Sequence, residues 1–305
     1  MATPPEPLER LRRAPLELLG RIVESSNATF LTSVGELTDE EPGPTDGDEG
    51  PLAGLGAEVR VGAADDELWD DPWDDDDRDD DERDVDAGHD DGDPAADDSD
   101  EGADDDGLPP GLKAVYKPLR GERPLWDFPE GLYRREVAAY ELSRALGWDL
   151  VPGTVERDDV LGVGSLQRFV EADFSRHYFV LRDEGGHDDQ LLRMAVFDVL
   201  VNNTDRKAGH VLVDADDHIW GIDNGLCFST EARLRTVIWD FAGEPIPDDL
   251  MDAIAGLIDE GVPDAVCAHL LPEEVGRLER RARVLRSAAQ LPHDPTGRAI
   301  PWPLL

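Results

Sequence analysis

The stretch VLVNNTDRKAGHVLVDADDHIWGIDNGLCF, from Val199 to Phe228, decides how the rest of the chain is interpreted. It contains two aspartates, Asp205 and Asp223, eighteen residues apart. The alternation of apolar residues between them predicts a β-hairpin with strands at 210–214 and 218–223, joined by a short polar turn. A hairpin of this length returns the chain to its starting end. The pattern therefore predicts that the two aspartates lie in one site.

The predicted positions of the two aspartates suggest different chemical roles. Asp205 lies in a polar loop after an apolar run, whereas Asp223 ends a short strand and precedes the turn signal Asn224-Gly225. A loop aspartate that accepts a proton and a strand-end aspartate that holds a metal ion form the arrangement used for phosphoryl transfer. Aspartate is also common in turns and helix caps for purely structural reasons. The functional interpretation therefore depends on residues upstream.

The charge of the chain is concentrated in one segment. The whole chain of 305 residues has a formal net charge of −42. Residues 39–106 hold 32 acidic and 3 basic residues, a net charge of −29, which leaves −13 for the remainder. Such a segment cannot bury enough apolar surface to fold, so we predict a disordered acidic insert at 39–110. Leu68, Trp69 and Trp73 within it could anchor a protein partner.

Cysteine content and hydropathy indicate the compartment. The two cysteines, Cys227 and Cys267, argue against a disulfide framework and have no metal-ligand spacing. The N-terminus lacks the apolar run of a signal peptide, and no run of eighteen apolar residues occurs. We therefore expect a cytoplasmic protein. The strong acidity argues against nucleic acid as a partner, because nucleic-acid binding depends on neutralising phosphates with basic side chains.

Two strand patterns near the N-terminus flank a short polar turn. Residues 20–24 and 28–34 have strand patterns, and Ser25, Ser26 and Asn27 join them. Small residues in such a turn leave backbone N–H groups free to bind an anion. A plain hairpin turn has the same composition, so this turn supports a phosphate site only in combination with other residues.

A strand and a helix carry a candidate ion pair. Residues 112–118 have a strand pattern, with Lys117 near its end. A strand lysine can contact nucleotide phosphates if a carboxylate holds it in place. Residues 132–146 have helical spacing, and Glu136 in the first turns would face the sheet. We predict that Glu136 pairs with Lys117; the alternative is a surface glutamate paired with neighbouring arginines.

The remaining patterns predict two more strands followed by helices, and therefore an α+β fold in four parts. The strands are expected at 150–156 and 162–170, and the helices at 191–201, 247–260 and 272–289. The four predicted parts are an N-terminal tail with a short helix broken near Pro15 (1–19), a small β-rich lobe that contains the insert (20–173), a helical lobe with the catalytic loop (174–290) and a Pro-rich tail (291–305).

The order of these motifs resembles that of the phosphatidylinositol 3- and 4-kinase superfamily. The type II phosphatidylinositol 4-kinases are similar at Asn203–Arg206 and at Asp223–Phe228. An actinobacterial family related to these kinases is similar at Val115–Pro118, Gly121–Pro129 and Asn203–His210. The resemblance implies a protein-kinase-like fold with two lobes, a small antiparallel β lobe and a helical lobe. It does not extend to the acidic insert.

The resemblance also implies how the chain would bind ATP. Lys117 would contact the α- and β-phosphates, and Glu136 would orient it. The turn Ser25–Asn27 would be the phosphate loop, with serine and asparagine where other kinases have glycines. Gln167–Val170, which includes Phe169, would enclose the adenine.

The same resemblance implies the catalytic roles and reveals one departure. Asp205 would orient and deprotonate the acceptor hydroxyl, and Asp223 would bind Mg²⁺. Five residues after the catalytic aspartate these kinases have an asparagine that holds a second metal ion, whereas this chain has His210. A neutral imidazole is a poorer ligand for Mg²⁺ than an amide oxygen. His210 could therefore bind Mn²⁺, hydrogen-bond Asp223 or serve the acceptor.

Three functions follow from these observations. The first is an ATP-dependent phosphotransferase whose hydroxyl acceptor is a protein, a small molecule or a lipid head group. No polybasic cluster that would hold an anionic membrane occurs, which disfavours the lipid, although Arg233 and Arg235 could take a phosphate-bearing substrate. The second is a nucleotide-binding regulator without turnover, which rests on His210. The third is a non-enzymatic protein that binds a partner through the acidic segment.

Overall fold

The computed structural model describes residues 6–23, 25, 27–37, 58–59, 111–294 and 296–305. Ser26 and nearly all of the predicted acidic insert at 39–110 lie outside these residues. Among the described residues, none of the helices combines the length and the apolar character needed to cross a membrane. The described chain contains a β-sheet and a separate set of helices, which confirms the predicted α+β class.

Six strands of the described chain form one sheet: β1 Leu16–Ile22, β2 Thr29–Val34, β3 Glu58–Val59, β4 Leu112–Pro118, β5 Thr154–Asp159 and β6 Gly162–Arg168. The strand order is β3-β1-β2-β4-β6-β5, and every neighbouring pair is antiparallel except β1 and β3. Ala114 and Tyr116 of β4 point to the same face of the sheet and are fully buried. The register places Lys117 opposite Ser165 of β6.

The helices follow mainly after the sheet. Those of the described chain are α1 Glu6–Arg13, α2 Leu132–Ala145, α3 Tyr178–Glu184, α4 Asp188–Val201, α5 Asp248–Glu260, α6 Asp264–Cys267 and α7 Pro272–Ala288. Between α4 and α5, a 3₁₀ turn at Ala208–His210 leads into a hairpin of β7 Val211–Val213 and β8 Ile219–Gly221. The hairpin and the helices predicted in this half are therefore confirmed, with shorter strands than expected. The short helix α3 was not predicted.

The N-terminal segment differs from the prediction. Helix α1 ends at Arg13, and β1 begins at Leu16, whereas the sequence pattern placed a broken helix up to residue 19 and a strand at 20–24. Pro15 has no N–H and cannot continue a helix. Its carbonyl instead accepts the N–H of Gly35, which starts the pairing of β1 with β2.

The strand predicted at 150–156 also begins later, at Thr154. Leu150 and Val151 are buried in a loop, where their backbone N–H groups donate to the hydroxyl of Ser143 at 2.8 and 3.3 Å. Pro152 follows and cannot donate a ladder hydrogen bond. A side-chain acceptor from α2 therefore replaces the strand ladder over these residues.

Helix α2 is held at its N-terminus by a residue outside the helix. Gly131 precedes the helix with φ 89°, a conformation that favours glycine. The carboxylate of Glu122 accepts the N–H groups of Gly131 and Tyr133 at 3.0 and 2.8 Å. This contact satisfies N–H groups that have no partner within the helix. It also sets the position of α2 relative to β4, and therefore the position of Glu136.

Candidate active site

Lys117 lies at the end of the central strand β4, opposite the first turns of α2. Its Nζ atom lies 2.5 Å from Oε1 of Glu136 and 2.9 Å from Oδ1 of Asp223. Burial alone would favour the neutral amine, but the two carboxylates outweigh it and raise the pKa of Lys117. Lys117 is therefore a cation at neutral pH.

Glu136 connects the strand to the segment that follows the hairpin. Its carboxylate is buried and uses both oxygens, since Oε1 accepts from Lys117 and Oε2 accepts the backbone N–H of Asn224 at 2.9 Å. One carboxylate thus sets the distance between Lys117 and the Asp223-Asn224 turn. The structure places the predicted Lys117–Glu136 partners in direct contact.

Asp223 comes two residues after β8 and has a φ of 55°, a left-handed conformation that aspartate tolerates better than most residues. Its side chain is 52% exposed. Lys117 lowers the pKa of Asp223 far below its ordinary value, because its attraction outweighs the effect of burial. Asp223 is therefore an ionised carboxylate with a half-exposed side chain. Mg²⁺ usually binds one or two carboxylates together with substrate phosphates and water, so this residue fits the ion.

Asp205 lies in the loop after α4, and the side chain of Asn203 accepts its backbone N–H at 2.9 Å. Burial raises the pKa of Asp205 to about 6; the negative charge of Asp223 adds to this rise, and Lys207, 3.9 Å away, opposes it. A general base works best when its pKa lies close to the operating pH. The hairpin brings Asp205 and Asp223 to the same cavities, as the spacing predicted.

His210 faces Asp223 across the hairpin. The N–H of Ile222 donates to the carbonyl of His210 at 3.0 Å, and Nε2 of His210 lies 3.4 Å from Oδ2 of Asp223. Burial lowers the pKa of His210 to about 4, so the ring is neutral at pH 7. The N–H of Lys207 points to Nδ1 at 3.4 Å, which leaves the ring proton on Nε2. The protonated ring nitrogen is therefore the one nearest to Asp223.

A buried network around Arg206 supports the two aspartates, and sequence reasoning missed it. The guanidinium of Arg206 is fully buried and lies against Asp198 of α4, with Nη2 3.0 Å from Oδ1. It also donates to the carbonyl of Ile222 at 2.7 Å and to the side chain of Asn224 at 2.8 Å. Arg206 therefore links the loop of Asp205 to the residues on both sides of Asp223.

One feature of the sequence could have revealed this network. Asp198 is a single charged residue within the apolar run Met194–Val201 of α4. A charged residue on a buried helix face requires a partner, and the first basic residue after Asp198 along the chain is Arg206. The side chain of Asp198 also accepts from Asn203 and Thr236, at 3.1 and 3.2 Å.

The first of two cavities at the site, about 290 Å³, lies between the sheet and the hairpin. Its walls come from the ends of β1, β4 and β6, from the residues after β6 and from the hairpin. Phe169 lines it and packs against Phe174, with ring centroids 6.2 Å apart. Gln167 lines it too, but its side-chain amide donates to Thr154 at 2.9 Å. This hydrogen bond connects the side chain of Gln167 to β5.

A second cavity of about 270 Å³ lies on the other side of Lys117, between α2 and the loop of Asp205. Ser25 and Asn27 line it, while Ser26 lies outside the described residues. The side chain of Asn27 accepts the backbone N–H of Arg123 at 2.9 Å, and the hydroxyl of Ser25 lies 2.7 Å from that of Thr29. Five residues line both cavities, so the cavities meet there: Ser25, Thr29, Lys117, Asp205 and Asp223.

The mainly antiparallel sheet carries a Lys–Glu pair, and a loop aspartate and a strand-end aspartate lie next to that pair. These features define the class of the protein. The chain has a protein-kinase-like fold with a small β lobe and a helical lobe. Residues 142–286 match the family model described as phosphatidylinositol 3- and 4-kinase. The chain is 42% identical over 229 residues to Protein Rv2133c of Mycobacterium tuberculosis, an alignment that covers 63% of this chain and 82% of that protein.

The chain therefore belongs to the same family as Protein Rv2133c, a bacterial kinase-like family related to the phosphatidylinositol 3- and 4-kinases.

The chain is also similar to solved structures at low sequence identity. The Golgi casein kinase with Mn/ADP bound is 11% identical and gives a TM-score of 0.45, covering 95% of this chain and 79% of that chain. The Helicobacter pylori proinflammatory kinase CtkA is 13% identical, with a TM-score of 0.37 and coverage of 60% and 86%. Hydra Fam20 with sugar is 13% identical, with a TM-score of 0.39 and coverage of 60% and 78%.

Proposed function

We propose that this protein is an ATP-dependent phosphotransferase that transfers the γ-phosphoryl group of ATP to a hydroxyl acceptor. The observation that carries the proposal is that Lys117, Asp205 and Asp223 line two cavities that meet at these residues. One cavity would hold the nucleotide, and the other would admit the acceptor. A transfer between two substrates requires such a shared boundary.

The nucleotide occupies the cavity between the sheet and the hairpin in this proposal. The apolar residues Ile22 of β1 and Val115 of β4, together with Phe169, enclose the adenine. Lys117 donates to the phosphates, and Glu136 keeps its ammonium in place. Asp223, whose side chain is half exposed, would hold the divalent metal ion, and that ion would neutralise charge on the phosphates.

Asp205 acts on the acceptor. Its carboxylate accepts the proton of the acceptor hydroxyl while the oxygen of that hydroxyl forms a bond to the γ-phosphorus. The bond between the γ-phosphorus and the β–γ bridging oxygen breaks, and ADP leaves. Because the pKa of Asp205 is about 6, the carboxylate is mostly ionised at pH 7 and can accept the proton.

The surroundings of Asp205 favour an acceptor with an anionic group. Lys207 lies 3.9 Å from Asp205, and the exposed Arg235 lowers the pKa of Asp205 through its charge. Arg233 is less suited to this role, because it pairs with Asp127 at 2.7 Å and also contacts Glu231. Of the two arginines singled out in the sequence, Arg235 is the better candidate for contact with the acceptor.

The second candidate function is a nucleotide-binding regulator without turnover. The observation that favours it is the contact of His210 with Asp223, at a position where the related kinases have a metal-binding asparagine. A site with a single metal ion would bind nucleotide and transfer phosphate slowly. Nucleotide binding is common to both candidates, so turnover distinguishes them.

The test measures nucleotide binding and phosphate transfer on the same samples. Binding of ATP is followed by calorimetry with Mg²⁺ or Mn²⁺, and transfer is followed as release of ADP with water, the protein itself and a panel of hydroxyl compounds as acceptors. Wild type is compared with Asp205→Asn and Asp223→Asn, and Asp216→Asn in the hairpin turn is the control. We expect Asp205→Asn to bind ATP without transfer and Asp223→Asn to lose metal-dependent binding.

Two results would change the conclusion. If wild type binds ATP but transfers phosphate to no acceptor, the regulator is the better description. If wild type binds no nucleotide with either metal ion, the kinase proposal fails.

A further inference from the structure

A cavity of about 390 Å³ lies beside α7, and none of the residues that line it lines either cavity of the active site. Three arginines of α7 line it: Arg277, Arg280 and Arg281. Positions separated by three and four residues lie on the same side of a helix, so these side chains converge. The opposite walls come from the end of α4, from residues 230–232 and from residues 290–292.

Arg281 carries a positive charge that the described chain does not neutralise. Its Nε donates to the carbonyl of Leu200 at 2.7 Å and its Nη1 to that of Ser229 at 3.4 Å. Its Nη2 is buried and has no hydrogen-bond acceptor among the described residues. Burial lowers the pKa of Arg281 to about 10, and the neighbouring Arg277 lowers it further, so the group is still charged at pH 7. A buried charge without a counter-ion is costly.

The other charges around the cavity leave it positive. Arg280 is exposed and forms no ion pair or hydrogen bond with any residue that the structure describes. Arg277 reaches Glu273 only at 3.7 Å. The one acidic residue in the wall, Glu231, has its carboxylate on the guanidinium of Arg233. A chain with a net charge of −42 thus keeps three arginines together around one cavity.

We propose that this cavity is a binding site for a small phosphate monoester, separate from the active site. Arginine is the side chain best suited to phosphate, because its planar N–H groups can donate two parallel hydrogen bonds. The volume lies within the range of small-molecule sites, roughly 300–1,000 Å³. An apolar part of the wall, formed by Val284, Leu285 and Leu291, would accommodate the organic part of the ligand.

Hydrogen bonds connect the residues around this cavity to the active site. Asn202 lines the cavity, and its side chain donates to the carbonyls of Ser229 and Glu231 at 3.0 and 2.6 Å. Its carbonyl oxygen accepts the N–H of Arg233 at 3.2 Å. The neighbouring Asn203 holds the backbone of Asp205. A ligand in the cavity would therefore stabilise the segment 229–233 next to the loop of Asp205.

The experiment measures ligand binding and does not depend on catalysis. Glycerol 3-phosphate and inorganic phosphate are titrated by calorimetry into the full chain in chloride buffer, and thermal unfolding is followed in parallel. Wild type is compared with Arg277→Gln/Arg280→Gln, and with Arg283→Gln, a control on the same helix whose partner is Glu279 at 3.1 Å. Both altered arginines of the double variant are exposed, so the fold is retained.

We expect saturable binding of glycerol 3-phosphate to wild type and to Arg283→Gln. The double variant should bind at least about tenfold more weakly, since about tenfold is the contribution of one charge-assisted hydrogen bond. Equal loss in Arg283→Gln would mean only general charge attraction and would overturn the proposal. Binding that survives in the double variant would place the phosphate at the active site. That result would also overturn the proposal.

A third arm distinguishes a lipid head group from a small molecule. Vesicles that contain phosphatidic acid are mixed with wild type and the double variant and sedimented. Sedimentation that depends on Arg277 and Arg280, without binding of the soluble monoester, would overturn the small-molecule site in favour of a membrane contact. Failure of the kinase proposal would leave all these measurements valid, because none of them uses ATP.

Discussion

The Nε2 atom of His210 lies 3.4 Å from Oδ2 of Asp223, at the position where related kinases have a second metal-binding residue. The ring is neutral, and its proton is on the nitrogen nearest to the carboxylate. His210 therefore acts on the proposed metal ligand and offers no hard oxygen of its own. Of the three roles considered for His210, this contact supports the positioning of Asp223.

Replacing this histidine should change the metal preference. In His210→Asn an amide oxygen becomes available to a hard cation, so we expect the ratio of Mg²⁺-supported to Mn²⁺-supported transfer to rise. The rates with the two metal ions are measured on the same preparation. His218→Asn, in the same hairpin but bonded to the carbonyl of Asp149, is the control. An unchanged ratio would show that His210 does not limit metal binding.

Asp205 should destabilise the fold when it is ionised. Its pKa is raised to about 6 in the folded protein from 3.8, so the folded chain holds the proton more tightly than the unfolded chain. The free-energy cost of ionising Asp205 in the folded chain reaches its full size above pH 6. It disappears as the pH falls towards 4. Asp205→Asn should therefore be more stable than wild type at pH 8, on the order of 1–3 kcal/mol, with a smaller difference at pH 5.

Denaturant unfolding at both pH values measures this difference. Asp216→Asn, at the exposed turn of the hairpin, should show no such pH dependence. A stability gain for Asp205→Asn that is the same at pH 5 and pH 8 would contradict the raised pKa.

Glu136 should affect nucleotide affinity more than stability. Glu136→Gln retains an oxygen for the N–H of Asn224 but removes the charge that holds Lys117. Lys117 would then pair with Asp223 alone, and we expect ATP to bind about tenfold more weakly, the effect of losing one charge-assisted contact. Calorimetry with ATP and Mg²⁺ measures this. Glu130→Gln, in the exposed segment before α2, should bind ATP as wild type does; equal weakening in both variants would refute the role of Glu136.

Asp198 should be essential for folding stability. Asp198→Ala leaves the guanidinium of Arg206 buried without its counter-ion, which costs about 3–5 kcal/mol when one partner of a buried pair is removed. Denaturant unfolding checks this value. Asp189→Ala, an exposed aspartate in the first turn of the same helix, should cost much less. The double variant Asp198→Ala/Arg206→Met should recover part of the loss, and further loss in that variant would contradict the pairing.

The acidic segment should be dispensable for nucleotide binding. Since β3 at Glu58–Val59 pairs with β1, we expect removal of residues 65–106 to leave the melting temperature within about 2 °C of wild type, because loop length contributes little to stability. Removal of residues 39–106 deletes β3 as well and should lower the melting temperature slightly more. Thermal unfolding and ATP binding are measured on both. A large loss after removal of 65–106 would show that this segment contributes to the fold.

The same deletions test the third function considered from the sequence. If the acidic segment binds a protein partner, a partner isolated with the full chain should be lost with the chain that lacks residues 65–106. Nucleotide binding should be unchanged in that chain. Loss of both would mean that the segment serves the kinase fold and not a separate partner.

Local patterns were sufficient to predict much of the site. The eighteen-residue spacing of Asp205 and Asp223 depends on a short hairpin, which alternation and turn residues define without distant contacts. The pairing of Lys117 with Glu136 depends only on the end of one strand and the first turns of the next helix. Boundaries were less predictable, as at Thr154, where the hydroxyl of Ser143 replaced the strand ladder over the preceding residues.

The protonation states of the side chains and their hydrogen-bond and ion-pair partners could not be predicted, because they depend on residues far apart in the chain. The sequence alone determined the order of strands and helices, the position of both aspartates and the segment that carries the excess charge. Only the tertiary structure decided that burial raises the pKa of Asp205, that Arg206 joins the loop of Asp205 to the residues beside Asp223, and that three arginines of α7 surround one cavity. Side-chain periodicity is a local property, whereas burial and charge pairing arise when distant segments pack together.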